Sequence, residues 1–201
     1  LLCLAAPYLA ATACAHSQGA ASAGGVAPDG SPPNPPQVAG TGNPFTDIKL
    51  YRAPYSNAEN AQKQLEKTNP ADAALVAKIA QQPQASWYGS WSADIKTVVA
   101  NYVNAAERAH ELALLVAYNV PNRDCGQYSA GGARDSSSYA EWITAFAEGI
   151  GTRRAVVVLE PDAIPLMKQC LSEEDQGKRL ELIRQAVGIL KAKPGVSVYI
   201  D

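Results

Sequence analysis

Three aspartates, Asp124, Asp162 and Asp201, each stand at or just past the end of a short apolar run. The runs cover residues 112–118, 155–159 and 196–200. Behind them follow Asn119-Val120-Pro121-Asn122-Arg123-Asp124-Cys125, Glu160-Pro161-Asp162 and Asp201. Carboxylates gathered in one cleft repel as anions, so at least one should keep its proton to higher pH. A carboxylic acid held in that way can protonate a leaving oxygen near neutral pH, which is the equipment of glycoside hydrolysis. Two other readings fit the same residues. An acidic residue after a strand often caps a helix or forms a turn, and clustered carboxylates also bind divalent metals. Three strand ends together speak against coincidence without choosing between sugar and metal chemistry.

The surrounding pattern says how these residues are positioned. The runs at 112–118, 155–159 and 196–200 are continuously apolar, as in strands buried on both faces. Helical spacing predicts helices over 93–111, 136–149 and 173–191, and two earlier ones over 56–67 and 71–81, split by Asn69-Pro70. Shorter extended segments are expected at 48–51 and 85–91. Apolar strands alternating with amphipathic helices imply an α/β fold, a parallel sheet covered by helices. Such folds carry their chemistry at the carboxyl ends of the strands, where the three aspartates stand.

Composition narrows the function. The 201-residue chain is 47% hydrophobic and 18% charged with a net charge of −2, which is ordinary globular make-up. It has no basic run, which argues against a nucleic-acid surface and suits an uncharged substrate. No internal stretch is long and apolar enough to span a membrane. Residues 1–16 read as an export segment, with Ala11-Thr12-Ala13 resembling a cleavage site; Cys14 also fits a lipoprotein cysteine. A secreted or cell-envelope location is therefore expected. Residues 17–42, rich in Pro, Gly, Ala and Ser, read as a flexible linker, and the folded part as 43–201. Cys3 lies in the export segment. In an oxidising compartment Cys125 and Cys170 should pair, stabilising the fold by roughly 4 kcal/mol through loop closure; two free thiols are the alternative. Two cysteines with no nearby histidine do not make a tetrahedral metal set, so no metal or other cofactor is expected. His16 and His110 read as solvated.

The motifs choose between the chemistries. Val116-Ala117-Tyr118-Asn119-Val120-Pro121-Asn122-Arg123-Asp124-Cys125 resembles a signature of glycoside hydrolase family 6, the inverting cellobiohydrolases and β-1,4-endoglucanases. Val158-Leu159-Glu160-Pro161-Asp162 resembles its second signature, and Val198-Tyr199-Ile200-Asp201 looks like the opening of its third. The resemblance implies a distorted parallel β/α barrel, present here as a partial barrel truncated after about half of the family's domain. It implies that Asp162 is the general acid and that Asp124 raises the acid's pKa and helps stabilise the oxocarbenium-like transition state. Tyr118 matches the tyrosine that presses on the distorted sugar. Asp201 matches a third active-site aspartate, and Arg123 is expected to form ion pairs among these carboxylates. Cys125 and Cys170 match a family disulfide. By the resemblance, Ser129 lies in the loop that in the family can close over the substrate and hold the attacking water; the family's serine often stands directly before the two glycines, where this chain has Ala130 before Gly131 and Gly132.

Aromatic rings are natural sugar platforms, because a pyranose face stacks on them. Tyr51 stands where the family often carries a subsite tryptophan, and Trp87 and Trp91 lie in the next extended segment, with cleft and core both open to them. Trp142 reads as core. An inverting hydrolase also needs a second carboxylate to activate water, and the family's proposed base lies downstream of Asp201. The expectation is therefore hydrolysis of β-1,4-glucosidic bonds in cellulose-like glucans, by a chain that is weakly active or inactive alone. Its expected partners are a β-1,4-glucan or cello-oligosaccharide and a complementary C-terminal fragment. The alternative is a non-catalytic exported carbohydrate-binding or interaction protein derived from such an enzyme.

Overall fold

The computed structural model describes residues 42–201 apart from Gln127. The expected export segment, nearly all of the linker, Cys3, Cys14 and His16 lie outside the described residues. Within them the order is α1 (Asn57–Thr68), α2 (Pro70–Ala80), β1 (Ser86–Tyr88), α3 (Ile95–Arg108) and β2 (Ala113–Ala117). Then come a 3-10 turn (Asp124–Gly126), α4 (Ser136–Ile150), β3 (Ala155–Leu159), α5 (Met167–Cys170), α6 (Glu173–Lys191) and β4 (Val196–Ile200).

The strands form one parallel sheet in the order β1-β2-β3-β4. Strand order equal to chain order is what successive strand–helix–strand crossovers produce. The register aligns the carboxyl ends: Tyr88 pairs with Ala117, Ala117 with Leu159, and Leu159 with Ile200. One face carries Leu115, Ala117, Val157, Leu159 and Val196 into a core shared with α3, α4 and α6. The other face carries the row Trp87, Val116, Val158 and Tyr199, matched residue by residue across the sheet. Both faces are apolar on β2 and β3, which is why their sequences do not alternate.

Side-chain caps begin the long helices at the expected breaks. Asp94, Asp135 and Ser172 each accept a backbone N–H three residues on. Trp142 packs on the core beside Tyr139 and Phe146, as the core reading had it.

Three elements differ from the pattern-based expectation. β4 is not buried along its length, for Tyr199 and Ile200 are about half exposed; it is one of the sheet's two outer strands among the described residues. The 48–51 segment makes a single bridge, Leu50 to Leu112, rather than a strand. β1 stops at Tyr88 because Gly89 turns the chain beneath the Trp91 ring, where a Cβ would lie 2.4 Å from that ring.

Helix α4 packs tightly on α3 at Gly149. A Cβ there would meet the Lys96 carbonyl oxygen at 2.6 Å and the Val99 Cβ at 2.9 Å. A glycine-to-alanine change normally stabilises a helix interior by about 0.5–1 kcal/mol. At Gly149 the backbone contact should reverse that sign, destabilising by roughly 1–3 kcal/mol. Gly188 in α6 faces open space, so Gly188→Ala should raise the urea midpoint while Gly149→Ala lowers it.

Candidate active site

Past β2 and β3 the backbone enters an uncommon conformation. Asn122, Asp124, Cys125, Glu160 and Asp162 all have left-handed φ, between 48° and 66°. Each such residue costs on the order of 1 kcal/mol or more and persists only where the surroundings impose it. Here the surroundings do impose it. The Glu160 N–H donates to the Ala117 carbonyl. The Glu160 carboxylate in turn accepts the Asn119 N–H on both oxygens, at 3.0 and 2.8 Å, and the Val120 N–H at 2.9 Å. The loop after β3 is thus tied to the loop after β2.

Arg179 fastens the same two loops from behind. It projects from α6, is buried, and donates to the carbonyls of Ala163, Pro121 and Asn122 at 3.1, 2.8 and 3.2 Å. The Cys125–Cys170 disulfide is a third fastening, joining the Asp124 turn to α5 with Cα atoms 5.5 Å apart. Gly132 supplies a fourth. Its φ is +103°, and a Cβ would fall 2.0 Å from the Val120 carbonyl oxygen, so only glycine lets the loop close on that strand end.

The predicted residues gather above this base. The Asp124 Oδ2 accepts the Ser129 N–H at 2.7 Å. The Asp201 Oδ2 accepts the Asp162 N–H at 3.1 Å. Tyr118 is 5% exposed, and burial raises its hydroxyl pKa, with the charges of Asp124 and then Asp162 adding to the rise. One hydroxyl therefore senses both carboxylates. Trp87 meets the Tyr118 ring edge-on at 5.5 Å and is 51% exposed, so much of its surface remains open. Trp91 is 56% exposed.

Arg123 does not form the expected ion pairs. Its guanidinium lies 4.9 Å from the Trp91 ring centre and 4.8 Å from that of Tyr118, within cation–π range of both. Its N–H groups donate to the carbonyls of Ser129, Tyr118 and Ala130. A planar fork facing backbone carbonyls on a tight turn is satisfied without a carboxylate. Arg123 thus shapes the loop that carries Ser129.

Tyr51 is not brought to the cluster. Its N–H bonds the Leu112 carbonyl at the opposite end of β2. Its ring is 7% exposed and stands edge-on to Tyr102 of α3 at 5.2 Å, inside the helix-facing core. Among the described residues, no group of three or more His, Cys, Asp and Glu side chains is disposed to hold a metal ion.

Two residues of the site escaped the sequence reading, Glu160 as a functional group and Arg179 altogether. The carboxyl that the fold holds to higher pH is Glu160, whose pKa is pushed up to about 7 by burial, against the opposing pull of the Val120 and Asn119 amides, Tyr139 and Arg179. Arg179 carried a usable signal: it falls on the buried stripe of α6 with Leu182, Ile183, Ala186 and Leu190, and a charged residue on such a stripe needs partners of its own.

Comparison with known proteins agrees with this geometry. The family model for Glycosyl hydrolases family 6 matches residues 45–201. Endoglucanase 1 of Streptomyces halstedii is 41% identical over 152 residues, which cover 73% of this chain and 47% of that protein. Endoglucanase A of Thermobispora bispora is 36% identical over 160 residues, covering 77% and 34%. The structure of the endoglucanase Cel6 from Mycobacterium tuberculosis, in complex with methyl-cellobiosyl-4-deoxy-4-thio-β-D-cellobioside, superposes with a TM-score of 0.74 at 34% identity. That match covers 80% of this chain and 54% of the other. The chain spans about half or less of the length of these relatives.

Two outcomes follow from the site's construction. The folded chain holds a proton on Glu160 between pH 4.5 and about 7 that the unfolded chain has released. Stability should therefore fall as pH rises through that window, by on the order of 3 kcal/mol. Glu160→Gln should flatten this slope in urea titrations at pH 5, 6 and 7. Alkylation of the unreduced, denatured chain should leave Cys125 and Cys170 unlabelled in peptide mass spectra; labelling of both would exclude the disulfide.

Proposed function

The chain belongs to glycosyl hydrolases family 6, and from that premise we propose that it carries the acid side of an inverting β-1,4-glucan hydrolase site. The observation that carries this reading is the convergence of Tyr118, Asp124, Asp162 and Asp201 at the aligned carboxyl ends of β2, β3 and β4. Asp162 protonates the glycosidic oxygen as the bond to the anomeric carbon breaks. Asp124, oriented by the Ser129 N–H, faces the positive charge that develops on the sugar ring. Tyr118 stands against the ring at the cleavage point, and the open surfaces of Trp87 and Trp91 offer stacking for neighbouring glucose units. Ser129 rides on the loop whose backbone bonds Asp124.

Inversion also demands a base that activates water on the opposite face of the sugar. Since the chain spans about half the length of its relatives, we assign that base to the remainder of the family domain, acting as a complementary C-terminal segment. A polymeric glucan and a disulfide both suit action outside the cell.

The test is reducing-sugar release from carboxymethylcellulose by the chain mixed with a complementary segment from a relative. Activity should appear in the mixture and fall at least about 100-fold in Asp162→Ala. Cello-oligosaccharide affinity of the chain should weaken by about tenfold in Trp87→Ala. Affinity without hydrolysis in any mixture would favour a binding protein; absence of both would sink the proposal.

A further inference from the structure

Beneath the two aspartate loops lie two buried ionisable side chains. Glu160 is 1% exposed and Arg179 is 4% exposed. Neither is paired to an opposite charge within ion-pair distance among the described residues. Each spends its hydrogen-bonding capacity on the backbone of the strand-end loops: Glu160 on the amides of Asn119 and Val120, Arg179 on the carbonyls of Pro121, Asn122 and Ala163. Asp124 lies two residues beyond Asn122, and Asp162 two residues beyond Glu160. These contacts therefore define how far apart the two loops stand.

We propose that Glu160, with Arg179 behind it, is a positioning latch that holds the loops of Asp124 and Asp162 in fixed relation and couples their geometry to its own charge. The proposal rests on reading those two aspartates as the working carboxylates. The groups facing Glu160 are the Tyr139 hydroxyl from α4, the Arg179 guanidinium from α6, and the Asn119 and Val120 amides from the loop after β2. Ionised, Glu160 accepts the amides as charge-assisted bonds, which are about twice as strong as neutral ones. Protonated, one oxygen becomes a donor facing amides that are donors themselves, and the grip on the β2 loop loosens. The ionised form holds harder but bears the desolvation penalty of a buried anion. That opposition sets the pKa of Glu160 at about 7, so both states are populated near neutral pH. The buried Tyr139 hydroxyl makes no hydrogen bond among the described residues; it lies beside Glu160 and favours its ionised form.

The latch can be tested without hydrolysis. In the uniformly 15N-labelled chain, the Ser129 and Asp162 amides, one on each loop, should shift through a common inflection near pH 7. Glu160→Gln should abolish the inflection at both amides. Tyr139→Phe removes only the hydroxyl facing Glu160 and should move the inflection to higher pH at both together. Amides of Thr97 and Ser138, which are bonded to the N-cap aspartates of α3 and α4, should show none. If the two loop amides lack the inflection, or keep it in Glu160→Gln, the latch is refuted whatever the chain's activity. A shared inflection that responds to both variants supports the latch even in a chain that does not act on glucan, and the assignment of the aspartates alone then fails.

Discussion

The parallel register of β2, β3 and β4 is the constraint from which the site derives. Ala117, Leu159 and Ile200 lie side by side across the sheet, so the residues that follow them emerge at one height. Parallel pairing in chain order, with a helix returning the chain each time, permits little else. A slip of one residue in either pairing would turn the affected strand's core residues to the other face. It would also move a carboxylate by about one strand step, near 3.3 Å, which is the scale on which proton transfer succeeds or fails. The apolar core beneath the sheet therefore guards the geometry above it.

Register alone brings the loops together; it does not give them their shape. The five left-handed residues past β2 and β3 are each unfavourable in isolation. They are maintained by fastenings of different chemistry: a buried carboxylate on amides, a buried guanidinium on carbonyls, a disulfide, and a glycine where no Cβ fits. The fastenings share a logic. Loops at strand ends leave backbone donors and acceptors without ladder partners, and any such group that is buried must find one. Glu160 answers the donors of one loop and Arg179 the acceptors of both.

Much of this was legible in the sequence, for physical reasons that differ by element. The runs at 112–118 and 155–159 were readable because strands buried on both faces leave an unbroken apolar signature, and the long helices because their caps and stripes fall at regular spacing. The family signatures pointed to Tyr118, Asp124 and Asp162, which stand just past β2 and β3. What could not be read was direction. Nothing in the spacing says that Tyr51 turns its ring into the α3 core, or that the Arg123 fork closes on carbonyls instead of carboxylates. Glu160 was passed over because a carboxylate at a strand end resembles a turn former until its amide partners are known.

The arrangement of Arg123 shows how a cation is held beside carboxylates without pairing to them. A guanidinium paired directly with a carboxylate occupies its lone pairs and favours its ionised form. With its N–H groups on the carbonyls of Tyr118, Ser129 and Ala130, Arg123 keeps its charge nearby without an ion pair to Asp124 or Asp162. The Trp91 and Tyr118 rings on which it rests supply the electron-rich faces that an unpaired cation needs. The positive charge thus serves the loop's shape through carbonyls and rings, not through a carboxylate.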